Sequence, residues 1–206
     1  MAASSIEICN MMLTWLSRKQ IVSFDDNTKE SNFCKFNYDI SRRTVLESRE
    51  WSFATLRSLL PPLVGSPVYG YQYAFLVPPT SLRVLGVYDP GRIGDPDAPI
   101  IKHKIELNED GKKVILANLS SIHVRYIYDQ KTTQLFSPLF DQTLASYMGY
   151  SAAVPLTQDK DQQSRMFSIY KDNLDEATFN DSVQGSREML EISKLEQSRR
   201  MFYRIG

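Results

Sequence analysis

Between Tyr38 and Asp89 the chain changes its structural code, and that change limits its possible folds. The stretch reads YDISRRTVLESREWSFATLRSLLPPLVGSPVYGYQYAFLVPPTSLRVLGVYD. Its first part is charged and rich in long side chains, with Val45, Leu46, Phe53, Leu56 and Leu60 supplying an apolar stripe at helical spacing. The consecutive prolines Pro61 and Pro62 remove two backbone donors and demand an extended exit. The pattern therefore predicts a second helix that starts near Ser31 or Asn32, with Ser31 as its cap, and runs to about Leu60. Beyond the prolines, Tyr73, Phe75 and Val77 alternate, followed by Leu82, Val84, Gly86 and Tyr88. That is the two-residue period of a half-buried strand.

The same two codes divide the rest of the chain. Ile6, Cys9, Met12, Leu13 and Leu16 recur at helical spacing, and residues 21–28 read as a structured loop. Ile101, His103, Ile105 and Leu107 alternate and lead into the turn Asn108-Glu109-Asp110-Gly111, with a return strand from Lys112 to Ala117. Ile122, Val124, Tyr126 and Tyr128 complete the strands. Helical coding resumes at Ser137-Pro138, a cap followed by proline at the first helical position. Phe140, Leu144, Tyr147 and Met148 share a face of this helix, and Pro155 is expected to end it. Thr157 is expected to cap a further helix with Met166, Phe167, Tyr170, Leu174 and Ala177 as its core stripe.

Helices, then strands, then helices describe an α+β protein. The expected architecture is a bundle of about four helices, residues 1–65 and 131–185, with an antiparallel sheet or small barrel, residues 66–130, inserted in it. Residues 186–206 form a C-terminal extension, sparsely apolar at Met189, Leu190, Ile192 and Leu195.

At 206 residues the chain can bury a core without disulfides. Two cysteines, Cys9 and Cys34, read as buried small hydrophobes in a protein made in a reducing compartment. Basic and acidic residues balance at 24 each, which argues against a chain-wide polyanion-binding role. The N-terminus lacks the basic region of a signal peptide, and no apolar run nears the roughly 20 residues of a membrane helix.

Motifs for chemistry are sparse. The histidines, His103 and His123, both fall in predicted strands and read as ordinary strand residues rather than metal ligands or triad members. Asp25 and Asp26 read as turn and cap residues. Glu47 and Glu50, one turn apart on the second helix, are the least implausible acid pair for glycoside hydrolysis, but salt-bridge roles suit that spacing better. The string from Pro90 to Asp95 lacks a Walker lysine and a following helix, so it reads as a surface loop. No catalytic, metal or cofactor site is expected. The terminal string Arg199, Arg200, Met201, Phe202, Tyr203, Arg204 mixes charge with aromatic anchors. It fits a partner-docking tail better than a frayed terminus or a nucleic-acid contact.

These residues resemble a family. Ile8-Cys9-Asn10, the loop Ser23-Phe24-Asp25-Asp26, the helix segment Tyr38-Asp39-Ile40-Ser41-Arg42-Arg43 and the ending Trp51-Ser52-Phe53-Ala54 are similar in order to motifs of the head-to-tail adaptors of short-tailed phages. That family is also called tail tubular protein A or tail accessory factor. Gly70 to Phe75, Leu82 to Leu85, Phe136 to Leu144 and Pro155-Leu156-Thr157 extend the likeness over roughly residues 6–180. Ser41 stands where the family often has alanine, and residues 186–206 match no family motif.

The resemblance implies a non-enzymatic structural protein of the virion neck, assembled in the host cytoplasm. Typically twelve copies would form a ring between the portal protein and a tail nozzle of the tail tubular protein B type. DNA would pass through the lumen without sequence-specific binding, and no membrane would be involved. Near-neutral charge suits such a channel, because strong attraction to phosphate would retard ejection. On this resemblance Arg42 and Arg43 are candidates for inter-subunit contacts and residues 199–204 for portal binding. The alternative it leaves open is a virion-associated peptidoglycan hydrolase, with Glu47 and Glu50 as its acids.

Overall fold

The computed structural model describes residues 4–65, 67–95 and 97–177. The protein is α+β, and its chain divides into two compact units, residues 1–42 with 133–206 and residues 43–132.

In the first unit, helix α1 spans Ser5–Trp15 and is opened by Ser4, whose side chain and that of Glu7 cap each other's backbone. Ile8, Cys9, Met12 and Leu13 form its buried face, so Ile8 takes the core position expected of Ile6. Helix α2 spans Lys29–Ser48. Its cap is Thr28 rather than Ser31. The Thr28 Oγ1 accepts from the Ser31 amide at 3.1 Å, while the Ser31 Oγ accepts from the Thr28 amide at 3.0 Å. Serine thus stands in for the usual Glu of a capping box.

Helix α3, Pro138–Thr157, begins as expected at Ser137, whose Oγ accepts from the Phe140 amide. Pro155 does not end it. It lies inside the last turn, where a missing donor costs a single ladder bond, and the helix closes two residues later with Gln158 in the left-handed region. Helix α4 covers residues 160–177. Asp159, not Thr157, caps it, its Oδ1 accepting from the amides of Asp161 and Gln162. Helices α1 and α3 pack together, and Gly149 of α3 gives room to a side chain of α4. A Cβ there would meet the Met166 side chain of α4 at 2.9 Å and that of Met12 in α1 at 3.7 Å.

The second unit corrects the largest expectation. Helix α2 stops at Ser48, twelve residues before Leu60, and Thr55–Leu60 is strand β1. The cause is local and tertiary together. The Val45 carbonyl is taken by the Ser48 hydroxyl at 2.7 Å and by the Trp51 indole N–H at 2.9 Å, which satisfies an orphan acceptor and lets the helix end. A 3-10 turn, Ser52–Ala54, follows. Every residue of β1 then pairs with strand β6, Ile122–Tyr128, from Thr55 opposite Ile127 to Leu60 opposite Ile122. Residues 43–65, assigned to the bundle on sequence grounds, therefore lie in the sheet unit.

The remaining strands are β2, Tyr73–Leu76; β3, Ser81–Tyr88; β4, Lys104–Leu107; and β5, Lys113–Ala117. Instead of one sheet there are two, ordered β1-β6-β3 and β2-β5-β4, all antiparallel. Phe75, Ile115 and Ala117 from one sheet join Val87, Ile122, Val124 and Tyr126 from the other in a single core, so the unit is a small sandwich. The β4–β5 hairpin turns at Asn108–Gly111 as expected, with Gly111 at φ +71°, a conformation that favours glycine. Residues 101–103 precede β4 without joining its ladder.

Candidate interaction surface on helix α2

Helix α2 has a buried stripe of unusual chemistry. Glu30, Ser31, Cys34, Ser41, Arg42, Val45 and Leu46 are all buried, and four of these seven are polar or charged at helical spacing with the rest. Arg42 is 1% exposed and so does not lie on the helix surface. Its guanidinium reaches Asp39 at 3.4 Å. Tyr38, one turn earlier, is half-buried with its hydroxyl inside, and that burial pushes the phenol well above its ordinary value. Arg43, in contrast, has its side chain 58% exposed and pairs with Asp129 at 3.6 Å.

The outward face carries Phe36 at 71% and Ile40 at 67% exposure, four residues apart and so adjacent on the helix. Two residues out of phase with Cys34 and Tyr38, they point about 200° away from the buried stripe. Sequence reading passed over both. The signal that could have found them is that phase, since the same pattern that buries Cys34 and Arg42 exposes Phe36 and Ile40.

The loop that delivers α2 is held by residues of the motifs noted above. The Asn10 side chain bonds both backbone groups of Ile21, donating to its carbonyl at 2.9 Å and accepting from its amide at 2.8 Å. The Asp26 carboxylate accepts from the amides of Val22 and Ser23, which lowers its pKa. Asp25 pairs with Lys35 at 2.7 Å. Arg18 clamps the Glu30 carboxylate at 2.7 Å. Burial acts to raise the Glu30 pKa, but its own backbone N–H and Arg18 outweigh that and lower it. The two aspartates thus order the loop, as expected of them.

Cys9 and Cys34 are free thiols, fully buried. A hydrogen bond with the Cys34 sulfur, and burial, push the Cys9 thiol far up, so it stays protonated. Glu47 and Glu50 are not an acid pair on one helix. Glu47 is in α2, whereas Glu50 lies past its end and binds Arg125 at 2.7 Å. His103 Nδ1 sits 2.8 Å from the Ile101 carbonyl, and His123 is half-buried in β6. Arg199, Arg200, Met201, Phe202, Tyr203 and Arg204 lie outside the described residues. Among the described residues no group of three or more His, Cys, Asp or Glu is placed to hold a metal, and no helix is long and apolar enough to cross a membrane. No family model matches the chain, and a search of curated proteins finds no significant relative.

Proposed function

We propose that this chain is a head-to-tail adaptor of a short-tailed phage virion, a structural ring subunit that sits between portal and tail nozzle. The observation that carries the reading is the Phe36–Ile40 pair, two large apolar side chains held outward on a helix whose other face is packed. Adjacent exposed apolar residues on a rigid element mark a surface that a partner covers. The succession of adaptor-like motifs through α1, α2 and the start of the sheet unit points to what that partner is. A second copy or the portal would take up this face, and head-to-tail contacts between identical subunits close a ring when their rotation divides a full turn.

Of the two arginines in the helix, Arg43 remains the inter-subunit candidate. Its own side chain is 58% exposed and can reach a partner's carboxylate while staying near Asp129, whose side chain is 13% exposed. Arg42 serves the helix from within. Residues 199–204 would grip the portal, and DNA would pass through the lumen.

The test is assembly. The wild-type chain mixed with its portal protein should form rings visible by electron microscopy. A Phe36→Ser, Ile40→Ser double variant should keep the wild-type thermal transition and fail to assemble. Failure of the wild-type chain to bind portal at all would sink the adaptor reading, and normal rings from the double variant would remove α2's outer face from it.

A further inference from the structure

The outer face of the β1-β6-β3 sheet brings together basic residues that the adaptor reading does not use. Arg57 of β1 stands directly opposite Arg125 of β6, and Leu59 stands opposite His123. Across the other ladder, Gly86 faces Arg125 and Tyr88 faces His123. Alternation therefore sets Arg57, Arg125, His123 and Tyr88 on one side of the sheet, while Ile122, Val124 and Tyr126 enter the core on the other. The 3-10 turn Pro90–Arg92 after β3 brings Arg92 to the same place. Together these residues line a cleft of about 400 Å³.

Two arginines directly opposite in a ladder repel, with Cβ atoms only about 5 Å apart. The carboxylates nearby leave that repulsion partly unanswered. Glu50 takes Arg125 at 2.7 Å, and Asp95 takes Arg92 at 3.5 Å. The Asp89 carboxylate also lines the cleft, and its Oδ1 accepts from the Gly91 amide at 2.8 Å. Among the described residues none pairs with Arg57. The cleft thus holds an exposed guanidinium with no carboxylate partner among the described residues, free to share an acceptor with its neighbour.

We propose that this cleft binds a small phosphate monoester. A tetrahedral phosphate presents several oxygens to more than one guanidinium fork, which a further carboxylate cannot do once Glu50 occupies Arg125. The volume lies in the range of small-molecule sites and exceeds what a phosphate group alone would fill. The rest of the wall fits a partly apolar body. Tyr88 packs against Gly86 so closely that a Cβ there would come within 2.8 Å of its hydroxyl, which fixes the ring beside Arg125. Leu59 and Ile93 are exposed at the cleft and offer apolar contact. Arg57, Arg125 and Arg92 hold the phosphate, while Tyr88, Leu59 and Ile93 take the body of a molecule about the size of a mononucleotide. The site stands apart from the adaptor reading and does not need it.

The experiment is titration of the full chain at low salt with inorganic phosphate, with adenosine 5′-monophosphate and with a single-stranded oligodeoxynucleotide, followed by calorimetry and by the His123 ring resonances. The monophosphate should bind, shift those resonances and raise the melting temperature, and inorganic phosphate should bind more weakly. Arg57→Gln should weaken the monophosphate roughly tenfold or more, as loss of a charge-assisted fork does. Because it also removes the cross-strand repulsion, the same variant should melt no lower than wild type without ligand. Equal affinity in wild type and Arg57→Gln would overturn the proposal. So would absence of monophosphate binding at millimolar concentration, or binding of the oligonucleotide alone.

Discussion

Arg42 and Arg43 are chemically identical neighbours with opposite roles, and the difference is one of helical phase. Arg42 falls eight residues after Cys34 and three before Val45, which places it within the buried stripe, while Arg43 turns 100° further into solvent. An arginine can occupy such a position because its long apolar stem packs while its head finds partners, here with Asp39 and beside the Tyr38 ring. Arg42→Ala should therefore cost about 2–5 kcal/mol, as emptying a large buried site does. Arg43→Ala should cost less, about 1–2 kcal/mol, since the Arg43 side chain is 58% exposed and the loss is chiefly that of a partner for the Asp129 carboxylate, 13% exposed. Paired urea melts of the two variants check this, and equal losses would show that Arg42 contributes no more than its neighbour. Phase alone would have separated the two in the sequence. Charge obscured it, because an arginine is ordinarily exposed and Phe36 ordinarily buried.

The elements show where local coding decides and where it yields. Caps are local, and Ser137 with Pro138 opens α3 as the sequence implies. The same local logic placed the start of α2 three residues late, because both Thr28 and Ser31 are good capping residues and they bond each other. Their reciprocity gives a measurable expectation. Thr28→Ala should destabilise the protein by about 1 kcal/mol through loss of the acceptor for the Ser31 amide. Ser31→Ala should also lose the bond to the Thr28 amide, and the double variant should cost less than the sum of the two, as residues in one network do. Additive losses in thermal melts would show that the two caps act separately. The hydrophobic residues of β1 were not decided locally at all. Leu56, Leu59 and Leu60 suit a helix by propensity, yet six consecutive pairings with β6 hold them extended. Nothing within residues 55–60 reports a partner some 70 residues away, so the stripe continued on paper where the helix had already ended. The candidate cleft shares that illegibility, since Arg57 meets Arg125 only through this pairing.

For the whole molecule, the pairing of β1 with β6 explains how a sheet unit can be inserted in a helical one. The first and last strands of residues 43–132 are neighbours, so the insertion closes on itself and returns the chain beside its point of entry. Its core, from Phe75 to Tyr126, is complete within the insertion. The helical unit likewise assembles its buried residues from α1, α2, α3 and α4, reaching as far as Ala177. Residues 178–206 lie outside the described residues, and the C-terminal string is proposed only as the adaptor's portal contact. On that proposal a chain ending at residue 185 should unfold within a few degrees of the full protein and fail to bind portal. Differential scanning calorimetry reads the first quantity and co-sedimentation with portal rings the second. Normal portal binding by the shortened chain would take residues 199–204 out of the contact, leaving the Phe36–Ile40 face to account for it. A large fall in melting temperature would instead place part of the C-terminal segment in the core, and the string would then be a structural strap and no tether.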